Sequence, residues 1–236
     1  MVKTVKDVDL HGKRVIMRVD FNVPMKDGVV QDDTRIVAAL PTITYILEQK
    51  PRSLVLMSHL GDPAKDSKKA AEKAAKDGKP FDKDAYIAGK HKMKPVALYL
   101  EKLLGKPVQL ADSCKGQKAC VDSLPEGGIL MLENTRFHPE ETAKDPAEQE
   151  ILAKELASYG DVYVNDAFGT AHRAHASTAT IAKFMKVKVA GFLMEKEVRY
   201  IEPMVTNPPK PMVAIIGGAK VSSKIAVLDS LLKNAA

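Results

Sequence analysis

The sequence Asp161-Val-Tyr-Val-Asn-Asp-Ala-Phe-Gly-Thr-Ala-His-Arg-Ala-His175 joins a short apolar run to a loop that carries His172, Arg173 and His175. The apolar run predicts a buried β-strand. In a parallel α/β sheet, ligands bind beyond the carboxyl ends of the strands, so this loop would present Arg173 to a phosphate or a carboxylate. For one strand alone, a solvated loop with a satisfied histidine is the simpler interpretation.

Three further strand candidates end in polar residues in the same way. Residues 14–19 run into Asp20-Phe21-Asn22-Val23-Pro24, residues 54–57 into Ser58-His59-Leu60-Gly61, and residues 129–132 into Glu133-Asn134-Thr135-Arg136-Phe137-His138. The carboxyl ends of parallel strands lie at one edge of a sheet. Four such endings therefore predict one polar, anion-binding site at that edge.

Strand and helix patterns alternate along the chain. Strands are predicted at 15–19, 53–57, 108–111, 128–132, 161–164 and 212–216, and helices at 34–48, 64–76, 95–104, 146–158 and 194–205. Pro at the first helical turn and Asp145 as a cap support the helix over 146–158. The alternation predicts an α/β fold, a Rossmann-like three-layer αβα domain with a parallel sheet and right-handed crossovers.

A domain boundary is predicted near Asn207-Pro-Pro-Lys-Pro211, because this run cannot continue a helix and holds the chain extended. We therefore expect one domain over 1–193, an interdomain helix and hinge over 194–211, and the start of a second α/β domain over 212–236. One strand and one helix cannot bury both faces of that strand. The chain is expected to be a fragment of a longer protein.

Composition excludes several classes of protein. The chain has 236 residues, of which 45% are hydrophobic, enough for a sizeable core. Without a long apolar stretch or the apolar core of a signal peptide, a cytoplasmic protein is expected. Cys114 and Cys120 are too few for a disulfide framework or a zinc site. His138, His172 and His175 suit an anion better than a metal, because Arg173 would repel a cation.

The positive charge is concentrated in one segment. Residues 62–94 hold ten Lys against five Asp and one Glu, so +4 of the net +6 lies there. Its centre, 64–76, is rich in helix formers and has no aromatic residue on which a base could stack, which favours a solvated helix over a nucleic-acid site. A role for these lysines in binding another polyanion stays open.

Four segments together resemble the phosphoglycerate kinase family, in order and at compatible spacing. They are Arg18-Val-Asp-Phe-Asn-Val-Pro24, Leu132-Glu-Asn-Thr-Arg-Phe-His138, the run over 161–175, and Gly217-Gly-Ala-Lys-Val-Ser-Ser-Lys224. The resemblance implies a glycolytic kinase that transfers the acyl phosphate of 1,3-bisphosphoglycerate to ADP with Mg²⁺, giving 3-phosphoglycerate and ATP. It also implies a monomer whose acidic magnesium ligand lies beyond residue 236, so no metal ligand is expected within the chain.

The resemblance assigns substrate roles to residues at the strand ends. Asp20 and Asn22 would orient the hydroxyl and carboxyl end of the substrate, and Phe21 between them is also expected to belong to the substrate site. Arg35 would support the transferring phosphoryl group as a catalytic residue. The substrate-side basic patch would consist of His59, Arg136, His172 and Arg173.

The nucleotide side is predicted at the start of the second domain. Gly217, Gly218 and Ala219 follow a predicted strand and open a predicted helix, so their backbone amides could face the phosphates of ATP or ADP. By the resemblance, Lys220 and Lys224 would contact the nucleotide, with Lys220 also catalytic. The alternative is an ordinary helix start with close glycine packing.

The sequence departs from the family at Asp62, in Ser58-His-Leu-Gly-Asp-Pro63, where the family usually has an arginine that holds the substrate phosphate. Either Lys65 or Lys68 takes over that contact, or the protein binds substrate weakly. The second possibility leaves open an alternative function, a catalytically silent relative that binds an anion or a protein.

Overall fold

The strands and helices are taken from a computed structural model, which describes residues 2–208, 210–213, 215, 217, 225, 228, 229 and 232. The chain divides into two compact units, Met1–Met194 and Glu195–Ala236. The strands are β1 (Arg14–Arg18), β2 (Met25–Lys26), β3 (Val29–Val30), β4 (Ser53–Met57), β5 (Val108–Leu110), β6 (Gly128–Met131), β7 (Val162–Asn165) and β8 (Val187–Ala190). The helices are α1 (Thr34–Glu48), α2 (Pro63–Lys76), α3 (Lys83–Lys90), α4 (Lys94–Leu104), α5 (Lys118–Asp122), α6 (Pro146–Ser158), α7 (Phe168–Ala171) and α8 (Phe192–Thr206).

A parallel sheet in the order β5-β6-β4-β1-β7-β8 forms the centre of the first unit, and β2 and β3 form a separate hairpin. In its register, Ile16 of β1 lies between Val55 of β4 and Tyr163 of β7. All five residues of β4 are buried, as expected for a strand covered on both faces.

Two apolar clusters, one on each face of the sheet, form the core. Val15 and Met17 of β1 belong to the cluster that packs against α1 and α4, whereas Ile16 belongs to the one that packs against α6. Side chains alternate between the faces of a strand, so β1 contributes to both clusters. The resulting helix, sheet and helix layers confirm the predicted α/β, Rossmann-like three-layer αβα fold.

Helix α8 begins two residues earlier than predicted, because its start is held by α1 and by Asp166 after β7. The Phe192 N–H donates to Thr42 Oγ1 at 2.9 Å, and the Met194 N–H donates to the buried Asp166 carboxylate at 3.1 Å. Burial raises the pKa of Asp166. The Phe192 ring also packs edge-on against Tyr45, 5.2 Å between ring centroids.

Several short elements were not predicted. They are the edge strand β8, the hairpin of β2 and β3, and helices α3, α5 and α7, none longer than eight residues. Of the strand predicted over 212–216, the described residues Met212, Val213 and Ile215 are not in a strand, and the others lie outside the described residues. Within the part of the chain that is described, no helix is both long and apolar enough to span a bilayer.

Candidate substrate site

The polar residues predicted at the strand ends lie at the carboxyl edge of the sheet. β1, β4, β6 and β7 are neighbours in the sheet and all run in the same direction. The segments that follow them contain Asp20, His59, Arg136 and Arg173. The fold therefore brings the ends of all four strands together, as the parallel sheet requires.

Asp20 and Arg35 form an ion pair at this edge. Arg35, in the first turn of α1, donates from Nη1 to Asp20 Oδ2 at 2.5 Å. The Asp20 side chain is 9% exposed, whereas that of Arg35 is 51% exposed. Gly169 in α7 allows this arrangement, since a Cβ there would lie 2.8 Å from the same carboxylate oxygen. Asp20 thus holds Arg35 in place while leaving most of its guanidinium N–H groups available.

Asn22 and Phe21 connect the loop after β1 to the loop after β4. The Gly61 N–H donates to Asn22 Oδ1 at 2.8 Å, and the Phe21 N–H donates to Ser58 Oγ at 2.9 Å. The Phe21 side chain is fully buried in the core. The Phe21 carbonyl accepts from the Val23 N–H at 2.9 Å, so both backbone polar groups of Phe21 have partners and the residue supports the loop from within the core.

Arg136 is positioned by Asn134 at the end of β6. Asn134 Oδ1 accepts from the N–H groups of Leu60 and Arg136, both at 3.1 Å, and Nδ2 donates to the Leu60 carbonyl at 2.8 Å. Arg136 in turn donates from Nη1 to the Gly61 carbonyl at 2.7 Å. Its side chain is only 11% exposed, and burial lowers the pKa of Arg136. The loops after β4 and β6 thereby form one framework.

Two histidines of the site are neutral. Burial first, and then the positive charges of Arg18, Arg136 and Arg173, lower the pKa of His59 to about 2. Burial, Arg136 and Arg173 likewise lower the pKa of His175 to about 4. A neutral histidine donates or accepts a hydrogen bond but adds no charge. The positive charge of the site therefore comes from its arginines.

Arg173 and His172 lie in the loop after α7, and both are exposed. Arg173 Nε is 3.4 Å from His172 Nε2, and Arg173 acts electrostatically on both His59 and His175. The structure thus brings the predicted substrate residues Asp20, Asn22, Arg35, His59, Arg136, His172 and Arg173 into one site.

Asp62 caps helix α2 beside the site. Its Oδ1 accepts from the Lys65 N–H at 3.2 Å, and its Oδ2 lies 3.9 Å from Nη1 of Arg136. The side chains of Lys65 and Lys68 are exposed and make no ion pair or hydrogen bond with the described residues of the site. The carboxylate of Asp62 therefore reduces the positive potential around Arg136.

The predicted nucleotide residues Gly218, Ala219, Lys220 and Lys224 lie outside the described residues. Gly217 is described, and a Cβ there would meet no heavy atom within 4 Å. Among the described residues, no group of three or more His, Cys, Asp and Glu side chains is arranged to hold a metal ion.

The sequence profile of the family described as "Phosphoglycerate kinase" matches residues 5–236. This chain belongs to the phosphoglycerate kinase family. The phosphoglycerate kinase of Treponema pallidum (strain Nichols) is 62% identical over 233 residues, which are 99% of this chain and 56% of that protein. That of Fervidobacterium nodosum is 50% identical over 234 residues, 98% of this chain and 52% of the relative.

Solved structures of the family have the same fold. Phosphoglycerate kinase from Coxiella burnetii has a TM-score of 0.75 at 36% identity, covering 99% of this chain and 53% of its own. The enzyme from Pyrococcus horikoshii has a TM-score of 0.79 at 31% identity, covering 98% of this chain and 52% of its own. This chain thus spans about half the length of the phosphoglycerate kinases that it matches.

Several residues that hold the site in place were not identified from the sequence. They are Arg18, Ser58, Asn134, Glu141 and Ser177, all buried. Arg18 had one usable signal in the sequence: it is the charged residue of the otherwise apolar strand predicted over 15–19, and arginine is rarely fully buried. The others resemble ordinary polar loop residues, and only the fold reveals their partners.

Proposed function

We propose that this chain is the substrate-binding half of a phosphoglycerate kinase of glycolysis and gluconeogenesis. That enzyme would transfer a phosphoryl group reversibly from 1,3-bisphosphoglycerate to ADP, giving 3-phosphoglycerate and ATP. The main support is the site at the carboxyl edge of the sheet, where Arg35 pairs with Asp20 and where Arg136 and Arg173 both act electrostatically on His59. Family membership supports the choice of reaction.

The arginines suit the chemistry of phosphoryl transfer. The reaction requires alignment of the reactants and neutralisation of the negative charge that develops on the transferring group. A guanidinium offers five N–H donors in a planar fork that matches carboxylate and phosphate oxygens. Arg35 uses one of these donors on Asp20, so it could hold an anionic ligand without giving up that anchor. We assign Arg35 to the transferring phosphoryl group for this reason.

The remaining substrate residues would hold the other end of the molecule. Asp20 and Asn22 would receive the hydroxyl and carboxyl end, and the buried Phe21 between them would hold their loop in place. His59, Arg136, His172 and Arg173 would hold the phosphate of 3-phosphoglycerate. Because His59 is neutral, it would act as a hydrogen-bond donor, and the arginines would supply the charge.

The nucleotide half of the reaction would depend on the second domain. We assign Gly217, Gly218, Ala219, Lys220 and Lys224 to the phosphates of ATP and ADP, with Lys220 also at the transition state. Mg²⁺ would be bound with the nucleotide by a ligand outside residues 1–236. We further propose residues 1–193 as the substrate domain, 194–211 as the hinge and 212–236 as the start of the nucleotide domain, in a monomeric cytoplasmic protein.

Calorimetric titration of the chain with 3-phosphoglycerate tests this proposal. At near-physiological salt we expect saturable binding that is clearly tighter than binding of sulfate at equal concentration. The chain by itself should form no ATP, because it holds only part of the proposed nucleotide site. If a folded sample binds 3-phosphoglycerate no better than sulfate, the proposed substrate site is wrong.

A catalytically silent relative that binds an anion or a protein is the second candidate. Asp62 favours it, because its carboxylate lies 3.9 Å from Arg136 and opposes binding of an anion. Assaying ATP formation after the chain is joined to the remaining half of a close family member separates the two. Turnover would support the kinase, and substrate binding without turnover would support the silent relative.

A further inference from the structure

Arg18, the last residue of β1, has a guanidinium that is almost wholly buried, the residue being 1% exposed. Its Nε donates to Ser177 Oγ at 2.9 Å, its Nη1 donates to the Val19 carbonyl, and its Nη2 lies 3.1 Å from His59 Nδ1. Among the described residues, no carboxylate lies within ion-pair distance of Arg18. A buried charge without an opposite charge nearby destabilises the folded state, so the nearest negative group determines how well Arg18 is tolerated.

Glu141 supplies that counter-charge through Ser177. Glu141 is fully buried, and its Oε1 accepts from Ser177 Oγ at 2.6 Å, while Oε2 accepts from the Ser177 N–H at 2.9 Å. Thr135 Oγ1 also donates to Oε1, at 3.2 Å. Because Ser177 Oγ accepts from Arg18, its single proton points to Glu141. The hydrogen bonds therefore run in one direction, from Arg18 through Ser177 to Glu141.

The contact with Arg18 also fixes the protonation of His59. A guanidinium only donates, so His59 Nδ1 must accept, and the proton of the neutral ring is on Nε2. Nε2 makes no hydrogen bond with the described residues, and it is not among their buried unpartnered atoms. Although His59 is only 3% exposed, Nε2 therefore belongs to its small exposed area, where its N–H can meet a ligand. The groups that face the ring are Arg18 from β1, Arg136 after β6, and Arg173 and His175 after β7, all of which oppose a second proton.

We propose that Arg18 is a positioning residue that holds the neutral His59 ring with its Nε2–H directed to an anionic oxygen of the ligand, and that Glu141 holds Arg18 through Ser177. This inference rests on the proposed function, which supplies 3-phosphoglycerate as the ligand. His59 then contributes a directed hydrogen bond, and Arg18 acts on the ligand through His59. Because Glu141 follows β6 and Ser177 follows β7, the same carboxylate also joins two loops of the site.

Nitrogen-15 NMR of the histidine side chains tests the proposal without any ligand. In the wild-type chain we expect His59 to be a single tautomer, protonated on Nε2, at neutral and mildly acidic pH. Arg18→Met removes the donor to Nδ1, so both tautomers should be populated. Ser177→Ala, which breaks the link to Glu141 with the loss of one oxygen, should shift the His59 signals in the same direction by a smaller amount. Ser53→Ala is the matched control, because its hydroxyl is buried without a partner at the opposite edge of the sheet.

Calorimetry on the same proteins supplies the second readout. We expect Arg18→Met to weaken 3-phosphoglycerate binding roughly tenfold, the size of one lost hydrogen bond to a charged group, and Ser53→Ala to leave it unchanged. His59 signals that stay the same in folded Arg18→Met or Ser177→Ala protein would overturn the proposal, whatever the affinity. If Arg18→Met does not fold, Ser177→Ala decides by the same criterion. If the wild type binds no 3-phosphoglycerate while the His59 signals shift as expected, the positioning role stands and the proposed function fails.

Discussion

At the level of single residues, Asp62 stabilises helix α2 but weakens the attraction of the proposed site for an anion. Helix α2 needs a side chain that accepts a hydrogen bond from its first turn, and Asp62 accepts from the Lys65 N–H. The same carboxylate faces Arg136 from 3.9 Å. Its two effects can be separated, because capping requires an oxygen acceptor and repulsion of an anion requires a charge.

Asp62→Asn should therefore keep the cap and remove the repulsion. Asparagine caps helices about as well as aspartate, so we expect an unchanged free energy of unfolding. Binding of 3-phosphoglycerate should tighten by about fivefold, corresponding to about 1 kcal/mol for a partly exposed charge. Calorimetry and urea unfolding measure the two quantities. Asp82→Asn, at the cap of α3, is the matched control and should leave the affinity unchanged; tighter binding in that variant as well would contradict a specific effect of Asp62.

The neutral His59 predicts a pH dependence of stability. Its pKa in the folded chain is about 2 against an ordinary value of 6.5, so below pH 6.5 the unfolded chain takes up a proton that the folded chain does not. Stability is therefore complete above pH 6.5 and falls as the pH decreases from there toward 2. The slope from His59 alone is about 1.4 kcal/mol per pH unit.

Urea unfolding at about pH 7.5 and about pH 5.5 measures this loss. We expect His59→Gln, which cannot titrate, to lose less stability over this interval than the wild type by about 1.4 kcal/mol. His11→Gln is the control, since His11 is exposed at the opposite edge of the sheet. An equal loss in wild type and His59→Gln would mean that His59 is not held neutral.

At the level of elements, the end of the lysine-rich segment, residues 62–94, is tied to the loop after β4 that carries His59 and to Asn134 after β6. The start of the segment is held locally, since the Asp62 N–H donates to Asp66 Oδ2 at 3.0 Å. At its end, the buried His91 has Nδ1 3.1 Å from the Leu60 carbonyl, and its own carbonyl accepts from Asn134 Nδ2 at 2.9 Å. A Cβ on Gly61 would lie 2.6 Å from the His91 ring. The segment thus helps to shape the loop that carries His59.

Gly61→Ala should lower the free energy of unfolding by more than an ordinary substitution of a turn glycine does. Gly61 has φ +63°, so alanine there meets both backbone strain and the His91 ring. Gly78→Ala is the matched control, with φ +64° and no atom within 4 Å of the added Cβ. We expect about 1 kcal/mol from strain alone at Gly78 and at least twice that at Gly61, measured by urea unfolding.

A double-mutant cycle identifies the cause of the difference. In a His91→Ala background, the excess cost of Gly61→Ala over Gly78→Ala should disappear, because the ring that opposes the new methyl group is gone. An excess that persists in that background would show that His91 is not the obstacle. The cycle therefore tests whether His91 packs directly against the loop after β4 that carries His59.

The elements that could be predicted are those with strong local signals. Helices α1 and α6 have the predicted bounds because apolar periodicity and, for α6, Asp145 and Pro146 define them within the segment itself. β8, with the sequence Val-Lys-Val-Ala, is too short and mixed for such a signal. The polar strand endings were predictable for the same local reason. The hydrogen bond from Arg18 to Ser177 could not be predicted, because it joins residues 159 positions apart in the sequence.

At the level of the whole molecule, every described residue of the proposed substrate site belongs to the first compact unit. A chain that ends at residue 206 keeps the contacts of Phe192 with Thr42 in α1 and of Met194 with Asp166 after β7. We expect it to bind 3-phosphoglycerate as tightly as the 236-residue chain and to unfold at the same urea concentration. A chain that ends at residue 190 loses those contacts and should be less stable. A large loss of affinity in the 206-residue chain would place part of the substrate site beyond that residue.

The central position of β1 in the sheet also has a consequence for the order of folding. β1 pairs with β4, about 40 residues later in sequence, and with β7, which is connected to it by the bond of Arg14 to Asp161 across 147 positions. Contacts between residues so far apart in sequence slow folding, because closing the long loop between them costs conformational entropy before the contact is formed. During synthesis, β1 and β4 can pair while β7 is still untranslated. Arg173 and Ser177 follow β7, so the proposed anion site is incomplete until residue 177 has been synthesised, and a shorter nascent chain should not bind the proposed substrate.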